Sequence, residues 1–323
     1  MAARAIALAV AAASSASTSA SAAATTWHVV WTGGQSNSVG TNTQSSGYPT
    51  WATTPLVQDF CWKPSHNCVV GSFSPASVPL VNEANVGFSQ TFANLLLQTL
   101  PAGHGVVLVN TGVGGTGFHD GNWVPPNGKL VVQSVAAMAA MAAALPARLG
   151  GNFTLDALLW HQGEEDAGDN GDKYHADYCT YLVADVSALV TYLRAAFPGG
   201  SNSTPFVNGG LLPYWQDAVA GGTGGVPAAI AALNTSRACT ATADSRVFAD
   251  TKPDGSPNGD PNARSGVSND VIHFDATQNV FLGFEYWRAF LRATALTAPV
   301  PSAQTAGCPG ADVQTPVAAC GKA

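Results

Sequence analysis

The sequence predicts an α/β fold, a three-layer α/β/α sandwich around a mostly parallel five-stranded sheet. Short apolar runs alternate with longer helix-like segments, the pattern of a parallel sheet covered on both faces. Most of these runs give way to a polar or glycine-rich group, and a parallel sheet gathers such groups along one edge. With 323 residues, 46% hydrophobic and only 10% charged, the chain can bury one large core, and no second composition regime or repeat divides it.

The elements follow in order. Residues 1–26 combine Arg4, an apolar stretch from Ala5 to Ala13 and a tract of small residues with A-x-A-like sites, which reads as a signal peptide cleaved before Trp27. That stretch is too short to span a bilayer, and no later run reaches ~18 apolar residues without interruption. An organelle transit peptide is the alternative, weakened by the scarcity of arginine. Strands are expected at Trp27–Thr32, Val106–Asn110, Leu155–Trp160, Pro205–Gly210 and Val247–Asp250, where β-branched and aromatic residues cluster between turn formers. Helices are expected at Phe88–Leu100, Lys129–Leu149, Tyr174–Phe197, Val226–Leu233 and Thr277–Leu296. The stretch from Ser45 to Asn85, rich in Pro, Ser, Trp and Cys, reads as a long excursion covering the site or the sheet edge. One domain thus runs from 27 to 297, with a Pro-containing tail at 298–323.

Six cysteines in an apparently exported chain point to disulfides. Local pairing joins Cys61 to Cys68 and Cys308 to Cys320, leaving Cys179 for Cys239. Sequons at Asn152, Asn202 and Asn234 agree with a secretory route. A net charge of -7 without a basic cluster argues against nucleic acid as a partner. Metals fare no better: there is no H-E-x-x-H, and the calcium-like loop from Asp254 has Ser265 where a bidentate Glu is needed. No cofactor is implied, and nothing in the sequence sets an oligomeric state.

The chemistry starts at "VVWTGGQSNSVG", Val29 to Gly40, where an apolar run stops at two glycines and presents Ser36 between two amides. Taken alone, this is how strands end in turns. Three further groups converge on the same sheet edge: "NTGVGGTGFHDGNW" from Asn110, "WHQGEEDAGD" from Trp160 and "NDVIHFDATQNVFLG" from Asn269. A serine nucleophile needs a base, and the base needs an acceptor that fixes its tautomer. His273 and Asp270, three residues apart, supply such a pair; the bland reading makes Asp270 a helix cap. Oxyanion donors are available in the backbone N–H of Ser36, the Gly114–Gly115 turn and the Gln162 amide.

These blocks carry a resemblance. "GGQSN" at Gly33–Asn37, "GVGGT" at Gly112–Thr116, "WHQGEEDA" at Trp160–Ala167 and "DVIHFDA" from Asp270 resemble, in that order, the SGNH/GDSL hydrolase superfamily. More narrowly they resemble its carbohydrate acetylesterase branch, which holds sialate O-acetylesterase-like proteins and the acetylxylan esterases of carbohydrate esterase family 6. The resemblance implies a flavodoxin-like sandwich with Ser36 as nucleophile, Asp270 and His273 as acid and base, and Gly114 or Gly115 with Gln162 at the oxyanion. Glu164 is the alternative acid, because some relatives rely on a glutamate in this block. Ser38 stands where the family often has Met. The α/β-hydrolase elbow G-x-S-x-G is excluded, since Ser38 replaces its last glycine.

The expectation is therefore a secreted serine esterase that removes O-acetyl groups from a carbohydrate. Gln35, Asn37 and Trp123 are expected to contact substrate, and Trp51, Trp62 and Trp215 to stack on sugar rings, against the alternative of core packing. A carbohydrate acyltransferase or a non-catalytic glycan-binding protein on the same scaffold are the rivals.

Overall fold

The computed structural model describes residues 24–40, 51–63, 68–76, 86–168, 178–211, 233, 239–245, 273–274 and 276–294. Among these, seven strands form one sheet: β1 (Thr26–Gly34), β2 (Val57–Phe60), β3 (Phe73–Pro75), β4 (His104–Asn110), β5 (Asn152–His161), β6 (Phe206–Gly209) and β7 (Thr240–Ala243). Their order is β3-β2-β4-β1-β5-β6-β7, and every pair is parallel except β2 with β3. The sandwich is as expected, but seven strands replace the expected five. Three of them are additions: β2 and β3 lie inside the excursion read as loop, and β7 precedes the expected Val247–Asp250. Sequences such as Val-Gln-Asp-Phe and Phe-Ser-Pro carry no alternation, and they are strands because an edge of the sheet was available to pair with. The expected strand Val247–Asp250 lies outside the described residues, and β7 ends a few positions earlier.

Period-two alternation sends each central strand to two cores. Val29 and Trp31 of β1, Val107 and Val109 of β4, and Leu158 and Trp160 of β5 face one side. There they meet Leu130, Met138, Met141 and Leu145 of α3 (Lys129–Arg148) and Val186, Val190 and Leu193 of α5 (Tyr178–Ala196). Val30, Val106, Leu108 and Leu159 face the other, against Phe88, Phe92 and Leu96 of α2 (Phe88–Thr99) and Tyr286 and Phe290 of α6 (Ala276–Ala293). The two short helices α1 (Ser36–Val39) and α4 (Glu164–Gly168) follow β1 and β5. Helix α3, at 20 residues, is the one described helix long and apolar enough to cross a membrane, yet its apolar stripe is spent on the sheet.

Cys61 and Cys68 form the expected disulfide, closing the turn between β2 and β3. Cys239 is also disulfide-bonded, while the side chain of its expected partner Cys179, like Cys308 and Cys320, falls outside the described residues. Residues 24–26 already belong to the fold: Ala24 is buried, Thr25 donates its N–H to Gly103 O at 2.7 Å, and β1 starts at Thr26. Asn152 and Asn202 are exposed; Asn234 and the expected helix Val226–Leu233, apart from Leu233, lie outside the description.

Candidate active site

Three parallel strands deliver their following loops to one place. β1 ends at Gly34, whose φ is +120° and where a Cβ would stand 2.0 Å from the His161 carbonyl oxygen, so only glycine lets β1 and β5 close at this point. The chain then turns through Gln35, whose N–H donates to His161 O at 2.9 Å, into the single turn of α1 that begins with Ser36. After β4, Val113 N–H donates to Gly34 O at 3.0 Å, which lays the following turn against the serine. A Cβ on Gly114 would sit 3.6 Å from Ser36 Cβ. Gly115 has a φ of +65° and open space around it.

Across a separation of 237 residues, His273 Nε2 stands 3.0 Å from Ser36 Oγ. Asn37 ties the two loops together. Its Oδ1 accepts the Phe274 N–H at 3.1 Å, while its Nδ2 donates to Glu164 Oε1 at 2.6 Å. Asp270, the expected partner of His273, lies outside the described residues.

Beneath this pair is a buried polar network. Burial alone would push the Glu164 carboxyl up, but hydrogen bonds from His161 and Asn37 and the His161 charge together hold it below the usual carboxylate range. Its Oε1 lies 3.3 Å from His161 Nε2. The Tyr286 hydroxyl donates to Trp160 O at 2.7 Å, so the 3.0 Å contact from His161 Nδ1 is made by a ring N–H donating to that hydroxyl. Burial, then the Glu164 charge, push the Tyr286 phenol well above its ordinary value.

Beside it, Gln162 directs its amide nitrogen to Asp166 Oδ2 at 2.7 Å and stands 3.4 Å from Gln35 Oε1. Asp166 is fully buried and also receives the N–H groups of Phe118 and His119 and the His119 ring nitrogen Nδ1. Neither Asp166 nor His119 was expected at the site. The four-residue spacing of Gln162 and Asp166 was no usable signal, because Gly163, with a φ of +147°, stands between Gln162 and the start of α4 at Glu164. The partnership with His119, 47 residues away in sequence, had none either.

Three expectations of substrate contact are corrected. Trp123 is wholly buried, edge-on to Trp160 with ring centres 4.8 Å apart, and its indole N–H donates to Thr116 Oγ1; it has no face for a sugar ring. Gln35 is buried with Oε1 accepting the Glu165 N–H at 3.1 Å. Asn37 is fully enclosed by the bonds to Glu164 and Phe274. These amides hold loops in place, with Gln35 Oε1 and both ends of the Asn37 amide engaged by protein. Trp51 is half-buried, donates to Thr91 Oγ1 and leans on Phe284. Trp62 is half-buried at the carboxyl end of β2, its N–H donating to Asn110 O, with Lys63 over its ring. Trp215 lies outside the described residues. No group of three metal-ligating side chains occurs among the described residues.

The arrangement as a whole puts a hydroxyl next to an imidazole, with a glycine turn and an amide close by, at the carboxyl edge of a parallel sheet. The fold is similar to that of NanS, with 17% identity over 84% of this chain and 98% of NanS and a TM-score of 0.57. It is also similar to a protein from Arabidopsis thaliana, with 19% identity over 83% and 98% and a TM-score of 0.54. XAC1771, a carbohydrate acetylesterase from Xanthomonas citri, aligns at 16% identity over 84% of this chain and 58% of its own, with a TM-score of 0.48. No match is found among curated proteins. The model of the SASA family, described as carbohydrate esterase, sialic acid-specific acetylesterase, matches residues 26–292. That match takes in all the strands and both sides of the Ser36–His273 contact, and the chain belongs to this family of carbohydrate esterases, within the SGNH acetylesterase branch, as a carboxylic-ester hydrolase.

Proposed function

We propose that the protein is an exported serine esterase that removes O-acetyl groups from a glycan through an acetyl-enzyme. The observation that carries this reading is the 3.0 Å contact between Ser36 Oγ and His273 Nε2. In the proposed sequence Ser36 Oγ attacks the acetyl carbonyl carbon while its proton passes to His273 Nε2. Collapse of the tetrahedral intermediate breaks the bond to the sugar oxygen, which takes that proton and leaves. Water, giving a proton to the same nitrogen, then attacks the acetyl carbon; the bond to Ser36 Oγ breaks, Oγ takes the proton back from His273, and acetate leaves. Asp270 is assigned to His273 on its three-residue spacing, and the backbone N–H of Ser36, the N–H of Gly114 or Gly115 and the Gln162 amide to the oxyanion.

The substrate class rests on the family description; an O-acetylated sialic acid is the first choice and acetylated xylan the second. Export rests on the leader and is supported by the Cys61–Cys68 disulfide. Because residues 24–26 are built into the sheet edge, we place cleavage before Ala24 rather than directly before Trp27.

The deciding experiment is Ser36→Ala, assayed by acetate release from a panel of acetylated glycans. Loss on the order of 10⁶ in kcat with an unchanged melting curve is expected. A folded variant that keeps more than about a hundredth of the parent rate removes Ser36 as the nucleophile.

A further inference from the structure

We propose that Asp166 is the positioning residue that fixes which end of the Gln162 amide meets the reacting carbonyl. The inference rests on the oxyanion role proposed for Gln162 and goes beyond it by naming the group that sets its orientation.

A side-chain amide can rotate by half a turn and exchange a donor for an acceptor at the same place, so an oxyanion donor of this kind needs an orienting partner. Asp166 accepts only, and its two oxygens are filled by four donors: His119 N at 2.9 Å and His119 Nδ1 at 2.8 Å on Oδ1, Phe118 N at 3.0 Å and Gln162 Nε2 at 2.7 Å on Oδ2. A flipped Gln162 would set an oxygen against a buried carboxylate, so the nitrogen is held on that side. Gln162 Oε1 is buried without a hydrogen-bond partner, so the orientation is set from the nitrogen end, where the 2.7 Å bond to Asp166 is the short one.

The nitrogen has two hydrogens and Asp166 takes one. The second meets only the 3.4 Å contact to Gln35 Oε1, beyond the good N–H···O range, on an oxygen that already accepts Glu165 N–H at 3.1 Å. The N–H not committed to Asp166 is therefore the one left to donate a hydrogen bond to an oxygen that gains charge in the site. Asp166 also anchors Phe118 and His119, in the loop that carries Gly114. The fit leaves no slack, because a Cβ on Gly117 would stand 2.2 Å from Asp166 Oδ1.

The test is a double-mutant cycle with 4-nitrophenyl acetate, with circular dichroism on each variant. Asp166→Asn, which can no longer dictate the amide end, is expected to lower kcat on the order of 10² with KM changed less than about threefold. In a Gln162→Ala background, itself lowered by about 10²–10³, the same substitution should cost less than about threefold more. If Asp166→Asn instead multiplies its full loss onto Gln162→Ala, Asp166 acts independently of Gln162 and the proposal is overturned. An unchanged kcat in Gln162→Ala also overturns it. Should Asp166→Asn fail to fold, Gly117→Ala, which keeps the charge but displaces Oδ1, enters the same cycle with the same two outcomes. Failure of the nucleophile reading shows separately, as activity retained by Ser36→Ala.

Discussion

The two edges of the sheet carry the same residue types in different arrangements. At the carboxyl edge Ser36 Oγ faces His273 Nε2 at 3.0 Å. At the amino edge His28, Asp156 and Thr154 assemble an imidazole, a carboxylate and a hydroxyl at equally short distances. There His28 Nδ1 is 2.6 Å from Asp156 Oδ2, and the Thr154 hydroxyl donates to Asp156 Oδ1 at 2.6 Å. The difference lies in who holds the hydroxyl proton. Thr154 only donates a hydrogen bond to a carboxylate, too weak a base to take its proton, whereas Ser36 faces an imidazole that can. Asp156 is the extra residue of a bulge where β5 slips by one position against β1, between the pairs Val29–Leu155 and Val30–Ala157. An acid, a base and a hydroxyl within reach are therefore not a catalytic centre unless the base lies between the other two and loops leave room for substrate.

The largest expected effect breaks this comparison outright. His273→Ala should lower kcat by roughly 10⁵–10⁶, whereas His28→Ala should leave kcat within about threefold and lower stability by about 1–3 kcal/mol as Asp156 loses its ring partner. Steady-state kinetics and urea melts on both variants check it; comparable kcat losses would mean that the amino edge takes part in the chemistry. A second pair of substitutions sharpens the carboxyl edge. Asp270→Asn should cost up to ~10⁴ in kcat by favouring the wrong tautomer of His273. Glu164 is already engaged by Asn37 and His161, so Glu164→Gln should act only through the Asn37 link to Phe274, at about tenfold. Measured on one activated acetyl ester, a deeper loss for Glu164→Gln would move the acid to Glu164.

What the sequence made legible follows burial. β1, β4 and β5 are covered on both faces, so their apolar runs are nearly continuous and their expected positions lie within three residues of those observed. Helices α2 and α3 likewise begin at the expected residues, Phe88 and Lys129. The edge strands were hidden because their pairing, and not their composition, makes them strands. In the site, Ser36 stood out as a hydroxyl at a strand end and His273 as a base with an acid three residues before it. Gln35, Asn37 and Trp123 were placed on the substrate side because polar and aromatic residues near a nucleophile look alike in sequence whether they face in or out. Asp166 and Tyr286 were missed since their partners, His119 and His161, are distant in the chain.

The smallest expected effect concerns the amino edge alone. His28 Nε2 and His104 Nδ1 are 2.8 Å apart with the rings stacked, a spacing that holds one proton between the two nitrogens and not two. Burial and the neighbouring His28 lower the His104 pKa from 6.5, against the opposing pull of Asp156. The unfolded chain, with the ordinary value, therefore binds more protons than the folded one in the window just below pH 6.5. Stability from this group is present above the unfolded value and is lost as the pH falls through it toward the folded value, below which the loss levels off. Thermal melts between pH 8 and pH 5 should show a decline in Tm toward acid in the parent that is shallower in His104→Gln, while kcat of the two proteins stays equal throughout. An identical slope in both would place the acid sensitivity elsewhere. A kcat difference that grows with acidity would mean that the two edges of the sheet are coupled.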